Sequence, residues 1–195
     1  MKNTVTIKRE TRETNIDMTL VRTQTGCGLE GTTGIGFFDH MLNSFAVHGG
    51  FSIKLNMTGD LNVDGHHTVE DVGIVLGKLL SELCEDKSGI KRYGQAAIPM
   101  DESLAYAVID VSGRPFLVFD VPFTAPKIGD YDTQLTVEFF RALAFNMGAT
   151  LHINLVYGVN DHHKVEACFK AVAHALSDAI SEAGNGAVLS AKGVL

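Results

Sequence analysis

Two stretches, His66-His67-Thr68-Val69-Glu70 and His162-His163-Lys164-Val165-Glu166, carry the same pattern, His-His-x-x-Glu. Each runs into an apolar stripe at helical spacing. Val69, Val72, Gly73, Leu76, Leu79, Leu80 and Leu83 follow the first, and Val165, Cys168, Phe169, Val172, Ala173, Leu176 and Ile180 the second. Each motif therefore sits at the mouth of a long helix. Imidazole and carboxylate are ligands for borderline divalent metals such as manganese, iron and zinc. Adjacent helical residues point about 100° apart, so neighbouring histidines rarely grip one ion. A His and a Glu three or four positions apart do share a face. Two copies predict two metal ions, with both motifs contributing to each.

Working outward, the motifs lie in two versions of one unit. His40 to His48 leads into Gly50-Phe-Ser-Ile-Lys-Leu55, a polar turn and the first motif. Glu138 to Asn146 leads into Gly148-Ala-Thr-Leu-His-Ile-Asn-Leu155, another turn and the second motif, and this register superposes His40 on Glu138. Strand-like sequence precedes both units. Residues 4–10 and 15–22 alternate polar and apolar, and 103–111 and 116–121 are β-branched or aromatic around the turn Ser112-Gly113-Arg114-Pro115. The expectation is an α+β fold of two β-β-α-β-α repeats, residues 1–88 and 89–195, each with helices on one face of a mostly antiparallel sheet. Asp64 and Asp161 stand where helix caps are expected. The tail from Gly184 is floppy unless tied down.

Composition narrows the function. A net charge of −7 argues against nucleic acid as the main partner. Three scattered cysteines, Cys27, Cys84 and Cys168, make neither a disulfide framework nor a thiolate zinc site, and read as reduced thiols of a cytoplasmic protein. Neither a signal peptide nor a membrane span is expected.

A lone His-His-x-x-Glu reads as surface histidines near a helix start, with the Glu favoured by the helix dipole. Its repetition at equivalent places favours metal, and His40 and its counterpart Glu138 are both plausible ligands. His48, His152 and His174 have weaker claims as solvated or core histidines. Arg92, Arg114 and Lys192 are surface charges by default, although Arg114 in a tight turn is placed to offer its fork to a phosphate. Asp101 and Glu102 either serve acid–base chemistry or begin a strand, and Glu10 and Glu13 are by default exposed strand carboxylates.

Together these residues resemble the imidazoleglycerol-phosphate dehydratase family. The resemblance is carried by Arg9-Glu-Thr-Arg-Glu-Thr14, Gly36-Phe-Phe-Asp-His-Met-Leu42, Asp64-Gly-His-His-Thr-Val-Glu-Asp71, Arg92-Tyr-Gly94, Pro99-Met-Asp-Glu-Ser-Leu104, Ser112-Gly-Arg-Pro115, the second His-His-x-x-Glu with Asp161, and Lys192-Gly-Val-Leu195. It spans nearly the whole chain. It implies loss of water from imidazole glycerol phosphate to give imidazole acetol phosphate in histidine biosynthesis. It also implies two Mn2+ ions per active site, and assembly into trimers and then a 24-subunit shell with sites at subunit interfaces. Carried over by position, the metal ligands are His40, His66, His67, Glu70, His162, His163 and Glu166. The family often has His where this chain has Glu138, so Glu138 is an oxygen ligand or water takes its place. The resemblance further implies phosphate contacts from Arg92, Arg114, Ser190 and Lys192. Here Ser-Ala-Lys replaces the family's usual Ser-Ser-Lys, and one hydroxyl is missing. Imidazole held between two cations favours its deprotonated form, which pushes electrons outward and expels the hydroxyl. Glu166 or Glu13 is expected to move the protons.

Two rival readings share part of this pattern. A dinuclear phosphohydrolase also surrounds two ions with His, Asp and Glu, but its sites are richer in Asp. A metal-storage shell needs no phosphate clamp, which the trio Arg92, Arg114 and Lys192 would be.

Overall fold

The computed structural model describes residues 2–23, 27–85, 87–184 and 188–193. In chain order the first half contains β1 (Thr4–Glu10), β2 (Thr14–Arg22), β3 (Gly28–Gly31), α1 (Gly36–Gly49), β4 (Phe51–Gly59) and α2 (His66–Cys84). The second contains β5 (Tyr93–Met100), β6 (Ser103–Asp110), β7 (Phe116–Asp120), the short hairpin β8 (Lys127–Ile128) and β9 (Tyr131–Asp132), then α3 (Leu135–Met147), β10 (Thr150–Tyr157) and α4 (Asp161–Ala179). The two main sheets have the same topology, β1-β2-β4-β3 and β5-β6-β10-β7. In each, three strands pair antiparallel and the last joins in parallel.

The fold is the expected mixed α+β arrangement, with one more strand in each main sheet and the added β8–β9 hairpin in the second half. In the first half that strand is β3, Gly28-Leu29-Glu30-Gly31, too short to show alternation and bounded by glycines with positive φ. In the second it is β5, whose Gly94 and Pro99 mask its character. A proline is tolerated there because β5 lies at the sheet edge.

The helices cross between the halves. α2 packs on β1 and β2 of its own half and on α3 of the other, and α4 packs on β5 and β6 and on α1. This explains why α2 and α4 are buried well beyond their predicted stripes, Val75 and Gly77 on α2 and Ala167, Ala171 and Ala175 on α4 included. Close approach is built on small residues. A Cβ at Gly73 would lie 2.8 Å from the Phe139 carbonyl, and one at Gly77 would lie 2.6 Å from that of Leu143. Aromatic rings join the halves, with Phe38 set edge-on to Phe139 at 5.3 Å and Phe139 stacked on Phe169 at 5.0 Å. A single hydrophobic core therefore runs through both. Burial pushes the Cys84 thiol up to about 11 and that of Cys168 up to about 12, so both stay protonated.

Substituting Gly77 tests the cross-packing. Intrinsic propensity alone makes Gly77→Ala stabilising by about 1 kcal/mol. The contact with the α3 backbone reverses the sign, and a loss of about 1–3 kcal/mol in urea unfolding is expected. A gain would mean that α2 and α3 are not in backbone contact.

Candidate metal centre and phosphate end

α1 begins after a turn tied by Asp39, whose carboxylate accepts from the Thr33 amide at 2.7 Å and from the Thr32 and Thr33 hydroxyls, both at 2.6 Å. It ends at Gly50, which is left-handed, as α3 ends at left-handed Gly148. His40 and Glu138 precede these glycines by the same interval, so they stand at equivalent distances from the ends of α1 and α3.

The predicted cap of α4 is displaced by one residue. Asn160 caps the helix, accepting from the His162 amide at 2.9 Å. Asp161 points inward instead. It accepts from the Thr124 and Ala125 amides at 2.8 and 2.6 Å and from the Lys164 ammonium at 2.7 Å. Burial would raise its pKa, but these donors outweigh burial and hold it at about 2. Asp64 does accept from the His66 amide, at 2.7 Å, at the start of α2.

Where α1 meets α4, His40 from the first half meets His162 and Glu166 from the second. Glu166 Oε2 lies 3.4 Å from His40 Nε2 and 3.3 Å from His162 Nε2, and one ligand atom from each residue falls within 4.8 Å of the others. Among the described residues this is the one group of three with metal-ligand geometry. Glu166 is 6% exposed. Burial opposes its charge, but Lys170 Nζ at 2.6 Å from Oε1 and the nearby His40 lower its pKa on balance. The edge of Phe37 packs against the His162 ring at 4.9 Å, steadying it.

Two further histidines of the paired motifs, His67 and His163, are held by carboxylates. His67 Nδ1 lies 3.0 Å from Asp60 and its Nε2 lies 3.6 Å from Glu13. His163 Nδ1 lies 2.6 Å from Glu102 and its Nε2 lies 3.6 Å from Asp101. The hydrogen bond to Asp60 raises the His67 pKa, and that to Glu102 raises the His163 pKa. A carboxylate on Nδ1 orients the ring, the arrangement that supports metal-binding histidines, and here each Nε2 is turned toward a second carboxylate. Glu102 also accepts from the Val159 and Asn160 amides at 3.1 and 2.7 Å, which ties the β5–β6 turn to the start of α4. These amides and His163 push its pKa well below the carboxylate range. Glu13 sits on the β1–β2 turn. The Thr11 hydroxyl accepts from the amides of Glu13 and Thr14 there, and buried Asp71 binds Thr14 and Arg9.

Within the chain, His66 approaches Glu70 at 4.0 Å beside an open cleft of about 450 Å³ lined by Ile35, Val63, Asp64, Lys127, Asp132 and Leu135, among others. Glu138 pairs with Arg141. His66, His67, Glu70, His163 and Glu138 do not join the three-residue cluster. His174 is exposed on α4 and His152 on β10, and His174 meets His48 across the α1–α4 seam at 3.1 Å. Asp60 was not singled out from sequence. It lies in the polar turn after β4, and its role has no counterpart there because His163 draws its carboxylate from a different turn.

The basic residues gather at the far end of β6. Arg92 is buried against Asp110, while Arg114 is exposed, 3.9 Å from the same carboxylate. The tail is tied down here, since the Leu189 carbonyl accepts from Arg92 Nη1 at 2.6 Å. Ser190 and Lys192 form the turn that follows, with the Lys192 amide donating to the Ser190 hydroxyl at 3.2 Å. Tail residues 185–187 and 194–195 lie outside the described residues.

Comparison with known proteins agrees with this geometry. Residues 33–176 match the family model described as imidazoleglycerol-phosphate dehydratase. The chain is 52% identical over 178 residues to the imidazoleglycerol-phosphate dehydratase of Limosilactobacillus fermentum, an alignment covering 91% of each. It superposes on the crystal structure of the Staphylococcus aureus enzyme with a TM-score of 0.83 at 41% identity, covering 92% of this chain and 99% of that one. Against the Pyrococcus furiosus enzyme, solved in complex with (S)-C348, the TM-score is 0.84 at 37% identity, covering 97% of this chain and all of that one.

The Asp161–Lys164 pair gives a pH-dependent expectation. Both side chains are nearly fully buried, so Asp161→Asn strands a buried ammonium and is expected to cost about 3–5 kcal/mol at neutral pH. A carboxylate whose folded pKa is depressed stabilises above its unfolded pKa and loses that contribution as pH falls through the folded one. The gap between wild type and variant should therefore close between about pH 4 and pH 2. Denaturant unfolding at several pH values checks this, and a pH-independent gap would contradict it.

Proposed function

The chain belongs to the imidazoleglycerol-phosphate dehydratase family, a hydro-lyase of histidine biosynthesis, and from there we propose how its residues perform the dehydration of imidazole glycerol phosphate. The observation that carries the proposal is the convergence of His40, His162 and Glu166, two imidazoles and an ionised carboxylate from different halves of the chain. This donor set fits a borderline divalent ion, with manganese the family-based choice. His66, His67, Glu70, His163 and Glu138 face outward or pair locally. We assign them to metal positions completed by neighbouring subunits in trimers and a 24-subunit shell, with two Mn2+ per active site. Val156, Tyr157 and Val159, exposed beside the start of α4, supply apolar surface for such contacts.

Bound divalent ions would supply Lewis-acid charge that favours the deprotonated imidazole of the substrate. The chain's own residues do the rest. Of the two carboxylates expected to move protons, Glu166 has one oxygen against Lys170 and the other against two histidines. Glu13 is about half exposed on a braced turn, 3.6 Å from His67 Nε2, and is assigned the transfers at the substrate side chain. Arg92, Arg114, Ser190 and Lys192 are assigned to the phosphate. The halves 1–88 and 89–195 act as one unit because the three-residue cluster needs both. Among the described residues no helix is long and apolar enough to cross a membrane, and a cytoplasmic site of action is part of the proposal.

Purified protein incubated with imidazole glycerol phosphate should form imidazole acetol phosphate when manganese is present and stop when a chelator is added. Release of free phosphate would favour the phosphohydrolase reading, and metal uptake without turnover the storage reading. His163→Ala should lower bound metal by elemental analysis, and a full complement with normal turnover would contradict its assignment. Arg114→Ala should leave metal content intact and weaken binding of substrate and inorganic phosphate by about 2–5 kcal/mol. Unchanged phosphate binding would remove Arg114 from the site.

A further inference from the structure

Asp110 closes β6 with a carboxylate that neither the metal centre nor the proton transfers employ. Its side chain is 19% exposed and grips Arg92 side-on, Nε to Oδ1 at 2.7 Å and Nη2 to Oδ2 at 3.1 Å. The Arg92 guanidinium is also fixed by Nη1 donating to the Leu189 carbonyl at 2.6 Å, and it lies 4.7 Å over the Tyr93 ring. The Arg92 backbone is pinned at a left-handed φ of 74° by its amide donating to the Ala179 carbonyl and its carbonyl accepting from the Val111 amide. Three of the five N–H groups of an arginine are thus committed, which leaves two for an incoming oxygen. Arg114, 68% exposed, approaches the same Asp110 Oδ2 at 3.9 Å, and its turn is held by its amide donating to Ser112 and its carbonyl accepting from Thr150.

We propose that Asp110 is a positioning residue of the phosphate end, a carboxylate shared by Arg92 and Arg114 that presets both guanidinium groups for the substrate's phosphate. This rests on the reading that the two arginines take the phosphate. A carboxylate beside an anion site looks counterproductive on charge alone. Two effects offset its repulsion. A buried guanidinium without a partner would be costly, and Asp110 compensates it. Two arginines brought together without a shared anion would repel each other and splay, whereas a bridging carboxylate holds them close. A planar fork already locked by a bidentate partner loses little freedom when it takes a second anion. The same carboxylate reaches the tail through Arg92 and the Leu189 carbonyl, so it also sets the base of the turn that carries Ser190 and Lys192.

The test uses full-length, metal-loaded enzyme. Asp110→Asn keeps the shape but removes the charge, and Asp110→Glu keeps the charge but displaces it. Both should raise KM for substrate and the inhibition constant of inorganic phosphate roughly ten- to a hundredfold, with metal content unchanged and kcat within about threefold. A role in neutralising charge alone predicts that Asp110→Glu behaves as wild type and that Asp110→Asn binds phosphate more tightly. Either result overturns the proposal. A crystal structure of wild-type enzyme with inorganic phosphate guards against variants that fail to fold. Arg92 should remain on Asp110 while the phosphate takes its free N–H groups and Arg114. An Arg92 that leaves Asp110 to reach the phosphate overturns the positioning role. If phosphate binds away from both arginines and Arg114→Ala leaves its affinity unchanged, the phosphate reading itself falls, and this inference with it.

Discussion

The contact between α1 and α4 is the constraint on which the site depends. His40 comes from the first half of the chain and His162 and Glu166 from the second, and they meet only because each half packs its helices against the other's. That crossing is made possible by small residues. Glycines on α2 let its backbone approach α3, and alanines on α4 let it lie between its own sheet and α1. The burial that stabilises the core thereby places Glu166, an anion at 6% exposure, where two imidazoles reach it. Leaving such a charge buried is costly, and Lys170 together with the histidines compensates it in the structure as it stands.

The supporting carboxylates extend the same logic outward. Asp60 and Glu102 each hold one ring nitrogen of a histidine, and Asp161 with Lys164 anchors the segment around Thr124 and Ala125 to the first turn of α4. Side chains on helix starts need such fixing, because the first turn lacks the backbone bonds that hold the helix interior. Asp39 serves α1 in the same way.

Much of this was legible in the sequence. The paired His-His-x-x-Glu motifs revealed the duplication, the apolar stripes located α2 and α4, and the superposition of His40 on Glu138 was recoverable from their common distance to a helix-ending glycine. What stayed hidden depended on contacts between segments far apart in sequence. β3 is too short and glycine-bounded to show a period, and Gly94 and Pro99 disguised β5. The cap of α4 falls on Asn160 because Asp161 finds buried donors some 37 residues upstream, which local propensity cannot register. Asp60 carries no repeat signal because the halves differ in the Nδ1 partner, which His67 takes from the turn after β4 and His163 from the β5–β6 turn. Arg92 illustrates the same limit. Its residue type suggested an anion contact, but its burial against Asp110 and its hold on the tail appear only in three dimensions.

The central claim is that cross-packing of the halves builds a metal position from His40, His162 and Glu166. Anomalous diffraction at the manganese edge, from crystals of the wild-type protein grown with manganese, tests it most directly. The account predicts a peak within about 2.0–2.3 Å of His40 Nε2, His162 Nε2 and a Glu166 oxygen. A strong manganese peak elsewhere, with these three side chains unliganded, would contradict it.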